Sequence, residues 1–179
     1  MGPIKIHNKH FDIFIDRDKI GNAVHGLAQQ LKKDLNGETP LFISILNGAF
    51  IFAADFIRAY EGPCEVSFIK LASYEKTQTS GKVKQLLGIN EILTNRTVVI
   101  LEDIIDTGTT LQKIYEILGE EKPKDLKIVS LFFKPEVYKK ELEIDYVAFE
   151  IPDNFIVGYG LDYDGLGRNL PDIYKLLKS

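Results

Sequence analysis

The stretch TVVILEDIIDTGTT, residues 97–110, narrows what this chain can become. Its apolar start, 97–101, reads as a short buried strand. The run then meets Glu102 and Asp103, resumes for two apolar residues, and reaches Asp106 and the hydroxyl-rich Thr107-Gly108-Thr109-Thr110. From 109 to 119, TTLQKIYEILG has helical periodicity and stops at Gly119, with Pro123 just beyond. Strand, short polar turn and amphipathic helix make half of a βαβ unit, and the pattern recurs along the chain. Ile20, Val24, Leu27, Ala28, Leu31 and Leu35 keep helical spacing, predicting a helix over about 17–36 closed by Gly37. LFISIL (41–46) predicts a buried strand, and AFIFAADFIRAY (49–60) a helix after Gly48. CEVSFIKLASY (64–74), LKIVSLFF (126–133) and DYVAFEI (145–151) predict three more strands. EKTQTSGKVKQ (75–85) is polar and contains Gly81, as an exposed mobile loop does. Apolar strands alternating with helices imply a mostly parallel α/β sheet with right-handed crossovers.

Composition limits the function classes. The formal net charge is −4, which gives no global attraction to nucleic acid or to an acidic membrane. One cysteine, Cys64, excludes an internal disulfide framework and fits a reducing compartment. MGPIKIHNKH has no apolar secretory core, and no apolar run approaches the roughly 20 residues that span a bilayer. A soluble cytoplasmic protein is expected. Without repeats or a Pro/Gly/Ser-rich linker, residues 1–179 are expected to form a single domain.

In open α/β sheets ligands bind beyond the carboxyl ends of the strands, where Glu102, Asp103 and Asp106 are expected. The turn from Asp106 to Thr110 joins a strand end to a helix start. Gly108 permits close backbone approach, and Thr107, Thr109 and Thr110 add hydroxyls beside free helix amides. Such a turn suits a phosphate. Three carboxylates would repel that phosphate unless the ligand also carries Mg²⁺ and hydroxyl groups for them to hold. The local chemistry therefore asks for a phosphorylated, hydroxyl-bearing, metal-associated ligand such as a sugar phosphate. Other motifs fail. The Gly81-Lys82 pair has Lys76 where a Walker loop needs glycine and Val83 where it needs a hydroxyl. Gly165-Leu166-Gly167 has no third glycine of a dinucleotide fingerprint, His7, His10 and His25 form no zinc cluster, and no nucleophile elbow is present.

VVILEDIIDTGTT resembles the phosphoribosyl-pyrophosphate (PRPP) motif of the type I phosphoribosyltransferases. The likeness runs from about residue 10 to 170, through LNGAF (46–50), ASYEKTQTSGKVK (72–84), SLFFKP (130–135) and PDNFIVGYGLDY (152–163). More narrowly, the chain is similar to the purine-salvage hypoxanthine–guanine branch. The resemblance implies that fold, a mostly parallel central sheet flanked by helices, with a small hood formed from about 1–16 and 150–179. It implies Mg-dependent transfer of a 5-phosphoribosyl group from PRPP to a 6-oxopurine, giving IMP or GMP and pyrophosphate. Alternatives are a preference for xanthine, or a nucleotide-sensing regulator on the same fold. By resemblance, Glu102 and Asp103 hold the ribose hydroxyls, directly or through Mg²⁺. Residues Asp106, Thr107, Gly108, Thr109 and Thr110 cradle the 5′-phosphate, and Asp106 also serves as general base at the purine N7. Lys134 donates to the purine 6-oxygen, Phe155 stacks on the base, and Ile156 and Asp162 offer backbone carbonyls to it. The Asp162 carboxylate faces a second Mg²⁺ through water. Asn47, Gly48 and Arg168 hold pyrophosphate, and Ser73 and Tyr74 arrive with the mobile loop. The resemblance further implies a non-proline cis peptide at Leu46-Asn47 and a homodimer or homotetramer, with small-molecule substrates and neither nucleic acid nor membrane as partner. Two positions depart from the pattern: Asn47 replaces a lysine that many members carry, and Thr109 replaces a bulkier residue.

Overall fold

The computed structural model describes residues 2–72, 84–87 and 89–177. Among the described residues, ten strands in two sheets and three helices follow one another: β1 (Ile4–Ile6), β2 (Lys9–Ile15), α1 (Arg17–Leu35), β3 (Leu41–Ile45), α2 (Phe50–Tyr60), β4 (Glu65–Ala72), β5 (Lys84–Leu87), β6 (Thr97–Ile105), α3 (Thr109–Glu120), β7 (Asp125–Phe133), β8 (Tyr146–Glu150), β9 (Ile156–Val157) and β10 (Ile173–Leu176). The larger sheet has the order β5-β4-β3-β6-β7-β8. β4, β3, β6, β7 and β8 run parallel, and β5 lies antiparallel on the β4 edge.

Side-chain alternation builds the two core layers. Val99 and Leu101 of β6, with Val129 and Leu131 of β7, pack beneath α1 and α2. Val98, Ile100 and Ile128 point the other way, onto Leu111, Ile114 and Leu118 of α3. Helix α1 buries the six residues its periodicity marked. Asp16 caps it, accepting from Lys19 N at 2.9 Å, and Asn36 ends it in the left-handed region.

Three sequence expectations need correction. Strand β6 does not end at Leu101 but continues to Ile105, so Glu102 and Asp103 belong to the strand and are buried. Helix α3 passes through Gly119 to Glu120. The expected loop 75–85 gives way at its end to β5, which includes Lys84 and Gln85, while Ser73, Tyr74 and the rest of that loop lie outside the described residues.

The smaller sheet, β1-β2-β10-β9, is antiparallel and draws on both ends of the chain. Ile6, Phe11, Val157 and Tyr174 form its own apolar cluster. An ion pair between half-exposed Arg17 and buried Asp172 fastens it to helix α1. Asp172, just before β10, accepts from Arg17 N, Nε and Nη2 at 2.9, 3.0 and 3.0 Å at the start of α1. The Arg17 hydrogen bonds hold the Asp172 carboxyl below its ordinary 3.8, so its contribution is complete above that value and vanishes as pH falls through the lowered one. Replacing Asp172 with Asn is expected to lower the melting temperature at pH 7 by several degrees, from about 2 kcal/mol of lost charged hydrogen bonding. In parallel melts of both proteins, that gap should close as the pH is taken below about 4.

Candidate active site

Strands β6, β7 and β8 end side by side, and the chemistry collects at those ends. A cleft of about 350 Å³ is lined by Gly48, Asp103, Ile104, Asp106, Lys134, Asn154, Phe155, Ile156, Leu161, Asp162 and Arg168. A smaller one of about 130 Å³ is lined by Glu102, Ile104, Ile105, Asp106, Leu111 and the run Thr107–Thr110. Ile104 and Asp106 border both clefts. Because neighbouring residues of a strand face opposite ways, Asp103 opens into the larger cleft and Glu102 into the smaller.

The smaller cleft is a helix N-terminus. Gly108 is the cap of α3 and supplies no side-chain cap, so the first-turn amides are not taken up by a side-chain acceptor there. Thr107 Oγ1 and Thr109 Oγ1 lie 3.3 Å apart beside them. Asp106 does not act as the helix cap, which leaves its carboxylate to the clefts.

The larger cleft is floored by the 46–49 turn, where the Leu46-Asn47 peptide is cis. A Cβ at Gly48 would lie 1.6 Å from Asp103 Oδ2, so any larger residue there would have to displace the Asp103 carboxylate. Asn47 Oδ1 accepts from Lys70 Nζ at 3.1 Å, a partner the sequence did not suggest. On the opposite wall, Arg168 Nη1 donates to Gly160 O at 2.6 Å, and Arg168 Nη2 lies 2.6 Å from Asp162 Oδ1. Gly165 N donates to the other Asp162 oxygen at 2.7 Å. Lys134 is 6% exposed; its Nζ is 2.8 Å from Asp153 Oδ1 and 3.4 Å from Asp106 Oδ2. Phe155 keeps 45% of its surface exposed, with its ring edge-on to Tyr163.

Two carboxylates are buried with no salt-bridge partner among the described residues, although the Arg168 charge acts on Asp103 from a distance. Desolvation, reinforced by Asp103, pushes the Glu102 carboxyl well above the usual range, and Glu102 Oε2 is buried without a hydrogen-bond partner. Burial raises Asp103 to about 6, even though the Ile104 amide donates to it at 2.9 Å. Each of these buried carboxylates, on its own face of the strand, fits a ligand hydroxyl or a divalent ion brought in with the ligand. Among the described residues no three His, Cys, Asp or Glu side chains converge; Mg²⁺ is an ion commonly held by one or two carboxylates plus substrate oxygens and water.

The model of the phosphoribosyl transferase domain matches residues 13–164, a range that holds every residue lining the two clefts except Arg168. This chain belongs to the phosphoribosyltransferase family. Its architecture is the type I phosphoribosyltransferase fold, and it is an enzyme of the glycosyltransferase type. The chain is 36% identical to the hypoxanthine-guanine phosphoribosyltransferase of Aquifex aeolicus (strain VF5), over 96% of this chain and 98% of that one. It is 38% identical to the enzyme of the same name from Staphylococcus aureus (strain Mu50 / ATCC 700699), over 96% of each. A solved hypoxanthine-guanine phosphoribosyltransferase from Bacillus anthracis superposes with a TM-score of 0.87 at 42% identity, covering 93% of this chain and 98% of that one.

The structure gathers the sequence-derived residues of this phosphoribosyltransferase into the two clefts, apart from Asn47, which sits in the turn beneath them, and Ser73 and Tyr74, which are outside the described residues. Sequence reading missed Asp153, Asn154, Leu161 and Lys70. Asp153 and Asn154 sit within a segment already marked, but only the register of β7 against β8 brings Asp153 to Lys134. No helix among the described residues is long and apolar enough to cross a membrane.

Proposed function

We propose that this phosphoribosyltransferase moves the 5-phosphoribosyl group of PRPP onto a 6-oxopurine, hypoxanthine or guanine, releasing pyrophosphate. The observation that carries this reading is the position of Asp106, which borders both clefts. A ligand with a phosphate at Thr107–Thr110 and a flat base against Phe155 would place its ribose beside that carboxylate. The names of the relatives support the same substrates.

Each residue then has a task. The α3 amides and the Thr107, Thr109 and Thr110 hydroxyls bind the 5′-phosphate, assisted by the helix dipole. Glu102 and Asp103 hold the ribose hydroxyls and Mg²⁺, which when bound supplies positive charge against the departing pyrophosphate. Asn47, Gly48 and Arg168 receive that pyrophosphate. Lys134 donates to the 6-oxygen of the base, and Phe155 stacks on the ring. Ile156 and Asp162 present backbone carbonyls to the base edge, while the Asp162 carboxylate, engaged by Gly165 N and Arg168 Nη2, would face a second Mg²⁺ through water. Asp106 accepts the N7 proton as the base bonds to ribose C1. Ser73 and Tyr74 belong to the covering loop. The whole chain is read as one cytoplasmic domain with its terminal sheet as hood. A homodimer or homotetramer follows from the same reading, and Val66 and Phe68, on one face of β4 and 39% and 40% exposed, offer apolar surface for a subunit contact.

Pyrophosphate release with PRPP, Mg²⁺ and, separately, hypoxanthine, guanine, xanthine, adenine and uracil tests this. Turnover is expected with hypoxanthine or guanine and is expected to stop when EDTA removes the metal and return with added Mg²⁺. Turnover confined to xanthine or uracil would overturn the base assignment. Nucleotide binding without turnover of any base would point to a regulator.

A further inference from the structure

Strand β7 lies between β6 and β8, so the residues following the three strands stand in a row. Lys134 follows β7; Asp106 follows β6, and Asp153 lies just past β8. Lys134 N donates to Ile105 O at 3.0 Å, and Ile151 N donates to Phe133 O at 2.8 Å, so backbone bonds fix the spacing of the row. One buried ammonium therefore sits between two carboxylates, and it is nearer Asp153, at 2.8 Å, than Asp106, at 3.4 Å. Asp153 does not line the larger cleft, whereas the two residues after it, Asn154 and Phe155, do.

We propose that Asp153 is a positioning residue that holds the Lys134 ammonium on the β8 side of the cleft, away from Asp106. This rests on the reading of the cleft as a 6-oxopurine site. An ammonium has three N–H donors. With one given to Asp153, another remains for the 6-oxygen of the base, and Asp106 is only loosely neutralised. Without Asp153, the nearest carboxylate left to Lys134 is Asp106. The ammonium then turns toward it, which misaims the donor and makes Asp106 a weaker proton acceptor, since a close cation stabilises the ionised carboxylate. Asp153 thus acts on both base recognition and proton transfer without touching the substrate.

The test compares wild type, Asp153→Asn, Asp153→Glu, Lys134→Met and the Lys134→Met/Asp153→Asn double variant, with KM for hypoxanthine and for PRPP and kcat measured for each. Asp153→Asn is expected to raise the hypoxanthine KM about tenfold, the scale of one charge-assisted hydrogen bond, and to lower kcat several-fold. The PRPP KM should stay within about twofold, because the phosphate cradle is not involved. Asp153→Glu should recover part of the loss. The double variant should be no worse than Lys134→Met, since Asp153 has nothing left to position. An unchanged hypoxanthine KM in Asp153→Asn, or losses that simply add in the double variant, would overturn the proposal while leaving the enzyme's function intact. A wild type that turns over neither hypoxanthine nor guanine would overturn the functional reading and this proposal with it.

Discussion

Asp106→Asn is expected to reduce turnover by about 10²–10⁴-fold, the usual contribution of a positioned proton acceptor. The substitution keeps size and hydrogen-bonding shape but removes the charge that takes the proton. Little else should change. Asp106 has a side chain 51% exposed, so the fold does not depend on it, and Lys134 keeps Asp153 as a partner at 2.8 Å. Melting temperature and PRPP affinity should therefore stay close to wild type while kcat collapses. A kcat within tenfold of wild type, measured with saturating base and PRPP, would mean that the proton leaves by another route.

The second large effect concerns Gly160, whose backbone φ is +102°. A Cβ placed there would lie 2.2 Å from the carbonyl oxygen of Gly48. Both partners are backbone, so no side-chain rotation relieves the contact. The left-handed strain alone costs about 1–3 kcal/mol, and the clash adds to it. Gly160→Ala is expected to lose about 3 kcal/mol or more, a fall in melting temperature of roughly 6–12 °C for a domain of this size. It should also raise the KM for PRPP, because the clash displaces Gly48, which packs against Asp103 and is read as holding pyrophosphate. Gly119 provides the contrast. It lies within α3, and a Cβ there meets nothing within 4 Å. Gly119→Ala should leave kinetics alone and stabilise by up to about 1 kcal/mol. Equal effects from the two alanines, by thermal melts, would show that the close contact at Gly160 is not the cause.

The parallel sheet and its three helices were legible in the sequence because burial imposes periodicity. The α1 stripe from Ile20 to Leu35 and the apolar runs of β3, β6 and β7 are buried as their spacing requires. The end of β6 was misread for a physical reason: acids seldom sit inside a buried strand, so Glu102 looked like its boundary. This strand tolerates Glu102 and Asp103 where its two faces open into the two clefts. The strands of the smaller sheet were not read from pattern. β1 and β9 have three and two residues, too few for a period. β2 does alternate, with Phe11 and Ile15 buried, but its Lys, His and Asp diluted the signal. Of the candidate site, the Asp106–Thr110 turn was visible because its residues are contiguous. The Lys134–Asp153 and Lys70–Asn47 pairs were not, since each depends on strand register or turn geometry that no local spacing encodes.

The pairing of β2 with β10 has a consequence for how the molecule comes into being. The two strands are neighbours in space yet stand near opposite ends of the chain. β2 leaves the ribosome well before β10 and must wait for the whole parallel sheet between them before this second partner exists. The parallel sheet has nearer partners in sequence and can close first, carrying Glu102, Asp103 and the Thr107–Thr110 turn with it. The wall bearing Ile156, anchored through β9 on β10, closes only at the end, because contacts between distant residues carry the greatest cost of loop closure. A half-finished molecule could thus hold the phosphate end of its ligand before it has anywhere to place a base. Catalytic competence would arrive late, as the two ends of the chain meet.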